Sequence, residues 1–297
     1  MPLIVFSHAN SFPAATYTLL FRSLRARGFK VKAIDRFGHD PDYPVTSNWP
    51  HLVRQLADFA APEIEAHDGP AYLVGHSLGG FLSLMCAARH PALGGKGVRG
   101  VLLLDSPILG GWRANTLALI KRAQVVGSVS PGRVSRRRRN QWPSAEAALE
   151  HFRHKRPFMR WHPQMLQDYI AHCTHDEPNG DGGMRRVLDF DRDVETAIYN
   201  TLPHNLDRLL RRHPLQCPAG FIGGTRSTEM KQVGMSMTRR IVGREHPGRL
   251  RMIEGSHLFP MERPLETAAA IEEMLRGFEE SGAPADQPNR SSPSLAR

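Results

Sequence analysis

Ala71-Tyr72-Leu73-Val74-Gly75-His76-Ser77-Leu78-Gly79-Gly80 is the stretch that decides the fold. Ala71–Val74 is an apolar run of buried-strand type, and a helical stretch follows from Gly80 to about Arg89. Between them Gly75-His76-Ser77-Leu78-Gly79 satisfies G-x-S-x-G in the context that gives this motif meaning, strand before and helix after. The spacing has a steric reason. A sharp strand-to-helix turn holds the serine in a strained conformation, and the glycines two residues to either side let the backbones pass. The hydroxyl of Ser77 then stands exposed at a helix N-terminus, where backbone N–H groups can hold a developing oxyanion. The stretch is neither a P-loop nor a dinucleotide fingerprint, because the residue spacing of both is absent.

Outward from this point the chain alternates. Leu3–Phe6 reads as a short buried strand running into Ser7-His8-Ala9-Asn10. A helix near Ala14–Arg27 stops at Gly28. Phe29–Ile34 is a second strand, ending in Asp35-Arg36-Phe37-Gly38-His39, and Trp49–Glu65 a second helix with Pro50 in its first turn. Val98–Leu104 is the strand after the serine helix and closes on Asp105-Ser106-Pro107. Strand signals return at Ala219–Ile222 and Leu250–Ile253, and a last helix spans about Leu265–Phe278. This order predicts an α/β fold with a mostly parallel sheet covered by helices on both faces.

A serine hydroxyl needs a base to take its proton. Gly255-Ser256-His257-Leu258-Phe259-Pro260 places one histidine of the chain's 15 just after the last strand, with the last helix following. His257 is the candidate base. With these residues in view the chain resembles an α/β-hydrolase. The match lies in Ser7–Asn10, the Gly75–Gly79 elbow, Gly255–Pro260, and Asp35–His39, which resembles the family's D-x-x-G-x segment. The resemblance implies an oxyanion hole from the backbone N–H groups of Leu78 and Asn10. Ala9 stands where the family commonly has glycine, which is tolerable if its φ is negative. His8 is expected to support that loop. The resemblance also implies an acid, for which two positions compete. The family's usual loop reads Gly223-Gly224-Thr225-Arg226-Ser227-Thr228-Glu229, with Ser227 or Thr228 in the aspartate slots and Glu229 next door. The alternative is Asp105, 28 residues after Ser77 at the end of the following strand.

The implied layout is a core of residues 1–106 and 205–280, a helical lid over 107–204 and a disordered tail over 281–297. Trp112–Asn200 shows helical patches without strand alternation, and a Gly-rich break at Asn179–Gly183. The tail is rich in Ser and Pro and lacks apolar periodicity. The sheet is expected to hold about six strands, without the family's usual N-terminal hairpin. Phe29–Ile34 is then an edge, with Lys30 and Lys32 as its guards.

The chain has 297 residues, 39 Lys+Arg against 29 Asp+Glu, and a formal charge of +10. The surplus is local. From Arg113 to Arg160 there are 12 basic and 2 acidic residues, which leaves 27 of each sign elsewhere. Charge confined to the insertion argues against nucleic acid as the partner; an anionic substrate at the pocket mouth is one reading of it. The Arg136–Arg139 run is expected to be solvated or paired with local acids. No apolar run is long enough for a membrane span. No signal peptide is visible, and Cys86, Cys173 and Cys217 are widely spaced, so cytoplasmic residence is expected. His172-Cys173-Thr174-His175-Asp176 reads as a polar loop, and neither a metal nor another cofactor is expected. Trp142, Phe152, Phe158, Met159, Trp161 and Met165 are expected to form the apolar underside of the lid.

The chemistry these residues imply is cleavage of a small-molecule ester or related carbonyl compound through an acyl-enzyme. C–C bond hydrolases, thioesterases, lactonases and perhydrolases share the same triad. A ligand-binding protein with little turnover is the reading from another class, motivated by the irregular acid position.

Overall fold

The computed structural model describes residues 1–108, 110, 136 and 138–282. Its main sheet is formed by β1 (Leu3–Ser7), β2 (Lys30–Ala33), β3 (Ala71–His76), β4 (Gly100–Leu104), β8 (Ala219–Gly224) and β9 (Leu250–Ile253), in the order β2-β1-β3-β4-β8-β9. Every pairing in it is parallel. Parallel neighbours require crossovers, supplied in the N-terminal half by helices α1 (Thr18–Ala26), α2 (Pro50–Glu65) and α3 (Leu78–Arg89). Among the described residues no strand lies beyond β2, which is one edge. Lys30 and Lys32 on it both reach Glu63 of α2, at 3.7 and 2.8 Å.

Strand alternation divides the core in two. Ile4, Phe6, Tyr72, Val74, Leu102 and Leu104 face α1 and the last helix, Pro264–Gly282. Leu3, Val5, Leu73, Val101 and Leu103 face α2 and α3. Both faces are covered, so β1, β3 and β4 are buried along their whole length and carry hardly a polar side chain. Each fully buried aliphatic or phenyl side chain contributes about 1.5–3 kcal/mol.

The insertion between β4 and β8 holds the expected helices and adds strands that the sequence expectation lacks. It contains helices α4 (Ala145–Arg153), α5 (Pro163–His172), α6 (Arg192–Asn200) and α7 (Leu206–Arg212). It also contains an antiparallel sheet of β5 (Gln141–Trp142), β6 (Thr174–Pro178) and β7 (Met184–Leu188), in the order β5-β7-β6. The Gly-rich break is the turn of the β6–β7 hairpin: Asn179 N–H donates to Gly183 O at 3.0 Å. Gly180 and Gly182 take the positive φ that the turn requires, 85° and 81°. His172–Asp176 is likewise no loop but the end of α5 and the start of β6. Of the tail placed at 281–297, the last helix reaches Gly282, and the remainder lies outside the described residues. Among the described residues no helix is long and apolar enough to cross a membrane.

Candidate active site

Ser77 follows β3 directly and opens α3 with φ 52° and ψ −114°. This is a left-handed conformation that L-residues avoid, and its persistence requires support from the surroundings. The support is close backbone packing. A Cβ on Gly75 would lie 2.1 Å from Gly79 O, and one on Gly79 would lie 1.9 Å from Ser7 O. No side chain fits at either position, so both ends of the G-x-S-x-G motif are set by excluded volume.

The neighbouring strand ends in the same way. His76 pairs with Leu104 in register. Asp105 is therefore the first residue beyond β4, as Ser77 is the first beyond β3, and it too has a positive φ, 42°. Ser77 N–H donates to Leu104 O at 2.9 Å, and Asp105 N–H donates to Ile222 O of β8 at 2.8 Å. These bonds lock both residues to the carboxyl ends of adjacent strands, where open α/β sheets place their ligands.

His257, on the loop after β9, closes the arrangement. Its Nε2 lies 2.9 Å from Ser77 Oγ, and its Nδ1 lies 2.6 Å from Asp105 Oδ2. Asp105 is fully buried. Its Oδ1 accepts from Gly224 N–H at 2.7 Å, and its Oδ2 also accepts the hydroxyl of Ser227 at 2.5 Å. Donors on both oxygens fix the carboxylate in its orientation toward His257. Burial alone would depress the His257 imidazolium. The hydrogen bond to Asp105 and the charge of that carboxylate, with a smaller contribution from Glu229, outweigh burial and hold its pKa above 6.5.

The structure thus brings Ser77, His257 and Asp105 together. Glu229 instead accepts the hydroxyl of Thr228 at 3.0 Å, lies 3.5 Å from Ser227 Oγ, whose hydrogen goes to Asp105, and acts on His257 only through space. Ser227 and the Gly224 amide are the partners of Asp105 that the residue pattern does not single out. The signal was present in the vacant aspartate slot: Ser227 occupies it and reaches across to Asp105 while capping the helix Thr228–Val233.

The loop after β1 faces this centre. Ser11 carries its left-handed turn, φ 75°, and Ala9 is outside the positive-φ region, so alanine fits where the family has glycine. Ala9 N–H is taken by the Tyr17 hydroxyl at 3.1 Å. Asn10, buried next to it, donates from Nδ2 to Glu195 O of α6 at 3.1 Å. The Leu78 N–H is a first-turn amide that no helix carbonyl can reach. His8 is fully buried with both ring nitrogens on backbone groups, Ala9 O at 2.8 Å and Phe37 N–H at 2.9 Å. Burial lowers its pKa to about 4. It is a fixed tie between the loops after β1 and β2.

The aromatic group of the insertion packs on the same side. Phe12 meets Phe158, Trp161 and Tyr169 at ring-centre distances of 6.2, 5.5 and 6.0 Å. Trp142, Phe152, Phe158, Trp161 and Met165 are buried, whereas Met159 is 64% exposed and takes no part. Arg136 and Arg138 face acids of α6, Asp193 at 3.9 Å and Glu195 at 3.0 Å. Cys173 Sγ lies on Thr16 Oγ1 at 3.3 Å, His175 on Asp189 at 2.5 Å and Asp176 on Arg186 at 3.3 Å, so these side chains diverge. Among the described residues no group of three His, Cys, Asp or Glu converges on a possible ion site.

A parallel sheet with a strained serine elbow beside a histidine and a buried carboxylate defines the α/β-hydrolase architecture. The sequence model of the Alpha/beta hydrolase family matches residues 4–270, and the chain belongs to that family. An abhydrolase domain-containing protein of Alternaria alternata is 22% identical over 236 residues, which is 69% of this chain and 83% of that protein. Among solved structures, the peroxisomal alpha-beta-hydrolase Lpx1 of Saccharomyces cerevisiae superposes with a TM-score of 0.66 at 18% identity, over 99% of this chain and 81% of that one. E-2-(acetamidomethylene)succinate hydrolase gives 0.62 at 22% identity, over 93% and 91%. The thioesterase domain from the curacin biosynthetic pathway gives 0.65 at 19%, over 91% of each chain.

Proposed function

We propose that the protein is a serine hydrolase that cleaves a small-molecule ester or related carbonyl substrate through an acyl-enzyme. The observation that carries this reading is the unbroken line from Ser77 Oγ to His257 Nε2, 2.9 Å, and from His257 Nδ1 to Asp105 Oδ2, 2.6 Å. His257 takes the Ser77 proton as Oγ attacks the carbonyl carbon. The amides of Leu78 and Asn10 hold the tetrahedral oxyanion. Asp105 keeps the imidazole in the tautomer with Nδ1–H and stabilises the imidazolium. The imidazolium protonates the leaving group, and the acyl group remains on Oγ. A water molecule then gives its proton to His257 and its oxygen to the acyl carbon, which releases the acid and restores Ser77. Residues 1–106 and 205–280 form the catalytic body in this reading, and the described residues of 107–204 cover it; 109, 111–135 and 137 lie outside the described residues.

Labelling by a fluorophosphonate tests the nucleophile without knowledge of the substrate. The wild type is expected to label on Ser77, and Ser77→Ala not at all. A panel of nitrophenyl esters of graded chain length, including one with a terminal carboxylate, then maps the acyl pocket. Folded protein that neither labels nor turns over an ester, yet binds one tightly, would sink the enzyme reading in favour of a binding protein.

A further inference from the structure

The residue before the nucleophile is also a histidine, and nothing in the mechanism above uses it. His76 is fully buried. Its Nε2 lies 2.9 Å from the backbone carbonyl oxygen of His257, and its Nδ1 lies 2.7 Å from the Tyr17 hydroxyl. A carbonyl only accepts, so Nε2 carries the hydrogen. In a neutral ring Nδ1 is then an acceptor, and Tyr17 O–H must donate to it. The Tyr17 oxygen keeps its lone pairs, and Ala9 N–H donates to one of them at 3.1 Å. The bonds therefore run in one direction: Ala9 N–H to Tyr17 Oη, Tyr17 O–H to His76 Nδ1, and His76 Nε2–H to His257 O.

The ends of this line matter. Ala9 adjoins Asn10, whose amide is assigned to the oxyanion. His76 adjoins Ser77. His257 is the base, and its ring lies 5.2 Å from that of His76. Burial, and then the nearby His257, hold the His76 pKa well below 6.5, so the ring stays neutral. A proton on Nδ1 would reverse the Tyr17 bond and force the hydroxyl hydrogen toward Ala9 N–H, breaking the line.

We propose that Tyr17 and His76 are positioning residues that tie the oxyanion loop, the serine elbow and the base loop into one hydrogen-bonded unit. This rests on the assignment of Ser77 and His257 as nucleophile and base. It separates cleanly from a packing role. A ring of similar size would serve packing equally well, whereas the hydrogen-bonded unit needs an acceptor toward Tyr17 and a donor toward His257. Glutamine offers both from one amide, and phenylalanine offers neither.

The test uses the full chain and two readouts, the second-order rate of fluorophosphonate labelling and the ¹⁵N spectrum of the histidines. Tyr17→Phe is expected to slow labelling about 10- to 100-fold with an unchanged circular dichroism spectrum, the scale of one lost buried hydrogen bond. His76→Phe should slow it at least as much, and His76→Gln should restore it to within about fivefold of the wild type. His76 should give the signature of the Nε2–H tautomer and remain neutral at pH 6.5, where an ordinary histidine is half protonated. Native labelling in Tyr17→Phe, equal rates in His76→Phe and His76→Gln, or a His76 that is protonated at pH 6.5 or in the Nδ1–H form would each overturn the proposal. Wild-type protein that does not label overturns the Ser77 assignment instead, and the tautomer of His76 then still decides whether the hydrogen-bonded unit exists. Should His76→Phe fail to fold, Tyr17→Phe and the spectrum decide alone.

Discussion

The described residues form two sheets built on opposite principles. β1, β3, β4 and β8 of the large sheet read Leu-Ile-Val-Phe-Ser, Ala-Tyr-Leu-Val-Gly-His, Gly-Val-Leu-Leu-Leu and Ala-Gly-Phe-Ile-Gly-Gly, and every one of their residues is buried. β6 and β7 of the small sheet read Thr-His-Asp-Glu-Pro and Met-Arg-Arg-Val-Leu, and most of their residues are wet. The first sheet is specified by burial, which any apolar run announces. The second is specified by pairing. Asp176 stands opposite Arg186 and Glu177 opposite Arg185 in register, and each pair is bridged, at 3.3 and 2.7 Å. Charge complementarity between two segments is invisible when each is read alone. The helices of the insertion are legible in the sequence and its small sheet is not, for that reason, while the β-α alternation of the core is legible almost to the residue.

The candidate site divides along the same line. Ser77 and His257 are legible because their neighbours are under steric constraint: Gly75 and Gly79 at the elbow, and the position of Gly255–Pro260 after a buried strand. The acid stayed open between Asp105 and Glu229, because the choice depends on where two loops meet in space. Gly224 and Ser227 hold the Asp105 carboxylate toward His257, which is the contact on which the proposed triad rests. Tyr17 and His76 are illegible in the sequence for a related reason. An aromatic residue in the first helical stretch and a histidine inside a glycine motif carry no signal until the three loops converge.

The largest expected effect tests whether the core is as decisive as its burial implies. Asp105→Asn should lower the labelling or hydrolysis rate about 10⁴-fold, because the imidazole loses both its tautomer and the charge that stabilises its protonated form. Glu229→Gln should stay within about threefold, since a charge acting through partly solvated space is weak. The pH profile gives an independent check. His257 acts as a base only when neutral, and its folded pKa lies above 6.5, so the acid limb should fall above pH 6.5. Asp105→Asn should move that limb to lower pH, and Glu229→Gln should move it only slightly in the same direction. Glu229→Gln as the more damaging variant would reverse the assignment of the acid.

Glycine offers a second contrast, this time in stability. Gly79→Ala drives a methyl to 1.9 Å from Ser7 O, a backbone atom that cannot move without shifting β1. Chemical denaturation should show a loss of about 3 kcal/mol or more, the range of severe overpacking. Gly180→Ala, in the turn of the small sheet, meets nothing within 4 Å and pays only for φ +85°. Its cost should be near 1 kcal/mol. Equal losses would mean that the hairpin turn is as tightly enclosed as the elbow.

The smallest effect bears most directly on what specifies the small sheet. Glu177 and Arg185 are each more than a third exposed, at 37% and 40%, so solvent screens the pair and caps its worth. Reversing one partner, Glu177→Arg or Arg185→Glu, puts like charges opposite each other and should cost about 0.5–1 kcal/mol in denaturant. The double reversal restores attraction with the signs exchanged and should recover most of that loss. The coupling from the four proteins should shrink as salt is raised, because exposed charges are screened within about 10 Å at 0.1 M. A double reversal as unstable as the sum of the singles would show that the pairs are bystanders. The hairpin would then be held by its backbone ladder and by Val187 and Leu188, the buried residues of β7. Its specification would be the same as that of the large sheet, only shorter.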